Sequence, residues 1–313
     1  MDTPDLSTTL QFWLLLTFAV LSLICSTFTI YCFLSNRKMR HGLHNHSILF
    51  LIITNVILIF TDVLWMLISL YQVGPPPIPT TSFCLTWWVI DDSLYNIQAF
   101  ILAWASIERH LLIFHSRYIT TQKQKFLLHY LPPLIIIIYL FSFHIHVLVF
   151  PSCENSFDFT DLQCGSSPCY VAVNFITIWD TIVNNVLPTL IIVTFNVALL
   201  YRIIRQKKRL RQPIQWRKHR RMSMQLISVS AVYVFLHLPM IIITFIQMVQ
   251  GKDPSVDFGG QMYVFIATYS VTLSLPVVVC VNFLSLDKHR HVRISPTATV
   301  VPVKKWTEKR VER

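Results

Sequence analysis

Long apolar runs broken by short polar stretches dominate the chain from residue 11 onward. Seven such runs stand out, at about 11–34, 48–71, 85–107, 126–150, 175–201, 222–249 and 261–284. Each is longer than the 18–20 residues that cross a hydrocarbon layer of about 30 Å as an α-helix rising 1.5 Å per residue. None contains a lysine or an arginine. The run Ala99-Phe-Ile-Leu-Ala-Trp-Ala-Ser-Ile107 is typical, and it ends abruptly on Glu108, Arg109 and His110. The pattern predicts an all-α membrane protein: a seven-transmembrane helix bundle with short connections.

Composition agrees. Of the 313 residues, 54% are hydrophobic and 13% are charged, about half the charge a soluble domain carries. The +11 net charge has a topological cause. The segments 35–47, 108–125, 202–221 and 285–313 hold three, four, ten and eight Lys or Arg, leaving only Lys252 of the chain's 26 elsewhere. Basic loops stay in the cytosol, which puts the N-terminus outside and the C-terminus inside. The charge then needs no nucleic-acid partner, and the basic loops should attract the anionic inner leaflet of the bilayer. Ten residues, MDTPDLSTTL, precede the first run; they are too short and too acidic for a cleavable signal, so span one is expected to act as its own signal-anchor. The organisation expected is a short extracellular N-terminus (1–10), one membrane domain (11–285) and a basic cytosolic tail (286–313). The sequon at Asn45 faces the cytosol in this topology and should stay unmodified.

The six glycines all fall between spans, so no span carries a GxxxG face or a glycine-broken interruption of the transporter kind. Prolines do enter spans: Pro132 and Pro133 in four, Pro188 in five, Pro239 in six and Pro276 in seven. Each removes a backbone donor and is expected to kink its helix. Of seven cysteines, Cys25, Cys32 and Cys280 lie in spans. Cys84, Cys153, Cys164 and Cys169 lie on the outer side, where disulfides persist and an even count suits two bridges.

Cys84 opens span three and Arg109 follows 25 residues later at that span's inner end. With seven spans, an external cysteine cluster and prolines in spans five, six and seven, this resembles the rhodopsin-like (class A) G-protein-coupled receptors. Other matches are degenerate. Asn55 stands where the family has an acid in span two. Tyr233-Val-Phe-Leu-His237-Leu-Pro239 stands for F-x-x-C-W-x-P, and Leu275-Pro276-Val-Val-Val279 for N-P-x-x-Y. Asn196, eight residues after Pro188, replaces a tyrosine. Span one lacks the family's Gly-Asn pair and span four its tryptophan, so the chain is similar to a divergent member.

The resemblance implies roles. Cys84 would be bridged to the loop between spans four and five, through Cys164 or Cys169. Glu108 and Arg109 would hold each other closed until Arg109 meets a heterotrimeric G protein, with His110 in place of the usual tyrosine. The second half of the usual lock, an acid at the start of span six, is replaced by the basic WRKHRRMS of residues 216–223. Any lock must then be local to Glu108, which suggests a weak latch. Taken alone, Arg109 would read as an interfacial arginine reaching for headgroups; its distance from Cys84 favours the switch.

On the outer side, Asp91 and Asp92 lie seven and eight residues after Cys84, about 10 Å into span three, and Asp62 lies seven after Asn55, on one face of span two. Carboxylates within a membrane are costly and usually functional. Asp62, Asp91 and Asp92, joined by Asp180, outline an acidic pocket for a cationic small molecule or peptide, with Tyr95, Tyr233 and His237 lining it. The bland alternative puts Asp91 and Asp92 at a wet rim. Asn55 marks the polar core of the bundle. Span five has no serine and span six no tryptophan, so the likeness is closer to neuropeptide receptors than to monoamine receptors. Among the 12 histidines, His144, His146 and His237 are expected inside the bundle; His46, His129 and the rest read as interfacial charge. No metal-ligand spacing, cofactor motif or nucleophile–base set is present, and span seven lacks the lysine a retinal pigment needs. The expected protein is a multi-pass receptor of the plasma membrane, not an enzyme. A transporter or channel, with Asn55, Asp62 and buried histidines as a relay, is the alternative.

Overall fold

The structure is a computed structural model describing residues 6–37, 43–72, 75–114, 122–160, 164, 168–209, 226–239, 241–242, 265–266, 269–270, 272–282 and 284. The chain is an all-helical seven-transmembrane bundle. Span one is a single helix, Leu6–Ser35. Span two runs as Leu43–Leu58, a π-helical turn Ile59–Val63 and Leu64–Tyr71. Span three is one helix of 34 residues, Thr81–Phe114. Span four is Gln122–His129 followed by Leu131–Val149. Span five is Asn174–Trp179, a π-helical segment Asp180–Val186 and Leu187–Arg209. Spans six and seven are represented by Leu226–Pro239 and Thr272–Asn282. Among the described residues four stretches are long and apolar enough to cross a membrane by length and composition: Thr8–Ser35, His46–Tyr71, Phe126–Val149 and Phe175–Arg202. The basic segments 210–225 and 285–313, Lys252, and the outer parts of spans six and seven lie outside the described residues.

Span three is the axis. It packs against spans two, four and five, and its Leu94, Ile97, Ile101 and Leu102 share one buried cluster with residues of five other spans. These include Ile52 and Leu58 of span two, Leu140 of span four, Ile192 of span five, Leu226 and Tyr233 of span six, and Leu275 and Val279 of span seven. Ala99, Ala103 and Ala105 of the same helix are buried too, and small residues are what let membrane helices approach closely. The outward faces carry Trp13, Phe18, Ile24, Phe60, Ile135, Ile138, Leu190 and Val197, all well exposed, because lipid is as good a solvent for them as the core. The interior collects the polar side chains instead: Ser22, Asn55, Asp62, Ser93, Asn96, Gln98 and His144.

Proline acts differently in span four from the kink expected of it. Two consecutive residues without an N–H cannot continue a ladder, so the helix stops at His129, turns at Tyr130 and restarts with Pro132 and Pro133 in its first turn. His146 also departs from expectation: it is exposed on the outward face, while His144, two residues earlier, is fully buried. Two steps along a helix turn a side chain by about 200°, so both could not face inward.

At the Cys84 end, Cys84 is bridged to Cys164 and Cys153 to Cys169, which resolves the pairing the sequence left open. Residues 151–160 alternate between half-buried and exposed, the period-two signature of an extended chain. Their inward Phe157 and Phe159 pack on the cluster containing Cys84, Trp87 and Cys164. Between them the exposed Asp158 accepts from the Thr160 amide at 2.9 Å and hydroxyl at 2.6 Å, which holds its carboxyl below the ordinary range. Asn155 ties the same loop down, donating to the Leu148 carbonyl at 3.1 Å and accepting from the Cys169 amide at 2.9 Å.

The Cys84–Cys164 bridge spans 80 residues and the Cys153–Cys169 bridge 16. Chain entropy assigns about 4 to 5 kcal/mol to closing the longer loop and about 3 to the shorter, upper bounds where helices persist in the unfolded state. Thermal melting of the purified protein should therefore show Cys84→Ser lowering the midpoint more than Cys153→Ser; the reverse order would place the weight of the loop on the shorter bridge.

Candidate ligand and switch sites

Two groups of polar side chains lie at opposite ends of span three, joined by contacts midway. At the Cys84 end, the π-helical turns of spans two and five each contain an acid, Asp62 and Asp180. A π turn holds one more residue per turn than an α-helix, so it re-aims the side chains within it. Asp62 and Asn55, seven residues and about 10 Å apart along span two, are both buried and meet different neighbours. Asp62 is buried and accepts from the Trp87 indole of span three at 2.8 Å. Asn55, also buried, donates to Ser22 of span one at 3.3 Å. An aromatic set closes around Asp62, with Trp65, Phe83 and Trp87 edge-to-face at centroid distances of 5.0 to 5.8 Å.

Asp91 and Asp92 are half-buried. One carboxylate oxygen of Asp92 is fully enclosed with no hydrogen-bond partner among the described residues, and Asp62 and Asp180 lie close enough to act on its charge. Like charges this close inside a low-dielectric bundle repel strongly; the arrangement asks for a proton or a cation. Asp180 takes a hydrogen bond from Asn184 at 2.7 Å and stands 3.9 Å from His144 of span four. The His144 ring is fixed by the Leu140 carbonyl at 2.9 Å on Nδ1 and by Asn96 at 3.4 Å on Nε2. That fits the tautomer protonated at Nδ1, with Asn96 donating to Nε2. In the loop above, Tyr170 reaches Asp180. Burial pushes the Tyr170 phenol well above its ordinary value, and the Asp92 and Asp180 carboxylates push it further, so it stays a donor.

Midway down, the three residues expected to line the pocket meet. Tyr95 is hydrogen-bonded through its hydroxyl to His237 Nδ1 at 2.6 Å, and Tyr233 lies against the same ring at a centroid distance of 5.0 Å. Tyr233 and His237 are both 1% exposed. This is a direct polar bond between spans three and six. Of the remaining prolines expected to kink their helices, Pro188 follows the π segment of span five, Pro239 is the last residue of the described helical stretch Leu226–Pro239, and Pro276 lies within Thr272–Asn282.

At the other end, Glu108, Arg109 and His110 lie within the helix, which runs on to Phe114, and all three are buried. Glu108 charge acts on Arg109, but its hydrogen bonds come from elsewhere. One oxygen meets His129 Nδ1 of span four, and the other accepts from Ser47 of span two at 3.3 Å. His129 is 6% exposed, not the interfacial charge its sequence position implied. Its Nε2 lies 3.3 Å from His46 Nδ1, which Tyr130 also approaches at 3.4 Å. The sequence signal that could have found His129 is its place beside the proline-forced break, where a helix end turns toward the neighbouring span. His110 packs edge-on to Phe195 of span five at 5.7 Å. One turn before Arg109, Ser106 accepts from Asn196 at 3.0 Å, so the residue replacing the family's tyrosine still ties span five to span three. Among the described residues no group of His, Cys, Asp and Glu has the geometry to hold a metal ion.

The comparisons bear on this arrangement directly. No individual curated protein matches the chain. The sequence profile of the seven-transmembrane receptors of the rhodopsin family matches residues 25–281, which take in the acids, the Tyr95–His237 contact and the Glu108–Arg109–His110 triplet. Members of that family are receptors rather than enzymes, multi-pass in the membrane. The chain is a member of the rhodopsin family of seven-transmembrane receptors.

Proposed function

We propose that this receptor lies in the plasma membrane with its N-terminus outside, binds a cationic ligand, and activates a heterotrimeric G protein through Glu108, Arg109 and His110. In this reading residues 1–10 are extracellular, 11–285 form the receptor domain and 286–313 a cytosolic tail. The observation that carries the ligand class is the buried Asp92 oxygen without a partner, beside Asp62 and Asp180. A membrane bundle gains nothing from three neighbouring acids; an arriving ammonium or guanidinium would satisfy them together. Trp87, Tyr95 and Tyr170 are within the same region to offer aromatic faces to that cation. Four acids, Asp62, Asp91, Asp92 and Asp180, carry more negative charge than one ammonium neutralises, which suits a basic peptide better than a compact monoamine. A transporter is less well supported, because the chain matches the rhodopsin-family receptor profile over residues 25–281 and no span contains a glycine.

Coupling is tested by expressing the receptor with promiscuous G-protein readouts against amine and neuropeptide libraries. Arg109→Ala should abolish signalling, and Asp91→Asn should abolish response to a cationic ligand without loss of surface expression. A response indifferent to both changes would count against the reading. Stability gives an independent check. Removing one of several repelling buried charges relieves a cost of about 1 kcal/mol or more, so Asp92→Asn should raise the melting temperature of ligand-free receptor. A lower melting temperature would mean that the carboxylate is a structural acceptor.

A further inference from the structure

Glu108 has a single negative charge, two oxygens and three claimants. His129 Nδ1 occupies one oxygen, the Ser47 hydroxyl the other at 3.3 Å, and Arg109 feels the charge from the next position in the helix. With Glu108 2% exposed and His129 6%, water does not level these interactions. A carboxylate in such a place distributes its charge among its donors, and each donor weakens its hold on the others. His129 is in turn oriented by span two: its second nitrogen meets His46 at 3.3 Å, and the two rings lie 5.3 Å apart. Phe33 of span one closes over His46 at 6.0 Å. Among the described residues this chain of contacts runs through spans one, two, three and four.

We propose that His129 is a positioning residue of the switch: by taking up part of the Glu108 charge it loosens the Glu108–Arg109 latch, so that span four sets the receptor's basal activity. The inference rests on the reading of Glu108 and Arg109 as the G-protein switch. Its direction is opposite to that of a simple structural bolt. With His129 removed, Glu108 turns more of its charge to Arg109, and the arginine becomes harder to recruit. With Glu108 itself neutral there is no charge to share, and His129 ceases to matter. With no acid in the span-six segment 216–223, this local division of charge is one means of control at this end.

The test uses full-length receptor in lipid nanodiscs and measures ligand-independent GTPγS uptake by a panel of heterotrimers. The variants are Arg109→Ala, Glu108→Gln, His129→Leu, and the last two combined. The expected result is that Glu108→Gln raises uptake and His129→Leu lowers it about two- to ten-fold, while the double variant matches Glu108→Gln. His129→Gln keeps a donor but no charge and should fall between wild type and His129→Leu; it carries the same test where His129→Leu yields no folded receptor. Unchanged or increased uptake in the His129 variants, or an equal fall with and without Glu108, overturns the inference while leaving the switch intact. A silent wild type beside an active Glu108→Gln also overturns it, because the carboxylate is then already committed to Arg109. Uptake indifferent to Arg109→Ala, or silence in every variant, overturns the switch reading itself.

Discussion

Inside a bilayer a polar group finds no water, and every donor and acceptor must be satisfied from within the bundle. That constraint organises this molecule more than hydrophobic packing does, because lipid tails reward an exposed leucine as well as the core does. Backbone amides are satisfied by helix, which is why the chain is helical wherever it crosses. Side chains are satisfied by one another, which is why Asn55 finds Ser22, Asn196 finds Ser106 and Tyr95 finds His237. Each such bond is worth on average only about 0.6 kcal/mol in a membrane. Their significance lies in specificity: they fix which face of each helix looks inward.

Span three meets this demand more often than any other described element. It offers Asp91, Asp92, Ser93, Tyr95, Asn96, Ser106, Glu108, Arg109 and His110 to its neighbours along a helix about 50 Å long. The partners change with depth. Near Cys84 they come from spans two and four, midway from span six, and near Arg109 from spans two, four and five. A rigid rod with different partners at each level couples those levels geometrically: a small rotation that breaks Tyr95 from His237 also moves Ser106 against Asn196 and Glu108 against His129.

What was legible in the sequence divides along physical lines. The seven spans followed from the apolar runs alone, since no other solvent tolerates them. Cys84 and Arg109 were legible from their separation, which matches one crossing. Asp62, Tyr95 and His237 were legible as inward groups because charge and hydrogen-bonding capacity cannot face lipid. The departures came where backbone geometry intervened. A double proline in span four interrupted, at Tyr130, a helix that hydropathy drew as continuous. His146 and His129 were misplaced for the same reason: their facing depends on helical phase and on where a helix stops, and hydropathy averages over both.

The two ends of the bundle handle buried acid in contrasting ways, and the contrast supports different roles for them. Near Arg109, Glu108 is surrounded by donors from spans two and four and needs nothing further. Near Cys84, Asp92 keeps an enclosed oxygen without a partner among the described residues, with Asp62 and Asp180 nearby. A satisfied acid is a latch whose strength depends on how its charge is divided. An unsatisfied one is a vacancy for positive charge. A cation entering the upper cluster would draw in Asp92 and Asp180, and the latter is tied through Asn184 at 2.7 Å to the π segment of span five. The same span carries Asn196 and Phe195, which meet Ser106 and His110 beside the latch. In the proposed reading, ligand charge and latch would thus be linked through spans three and five and the Asn196–Ser106 hydrogen bond between them.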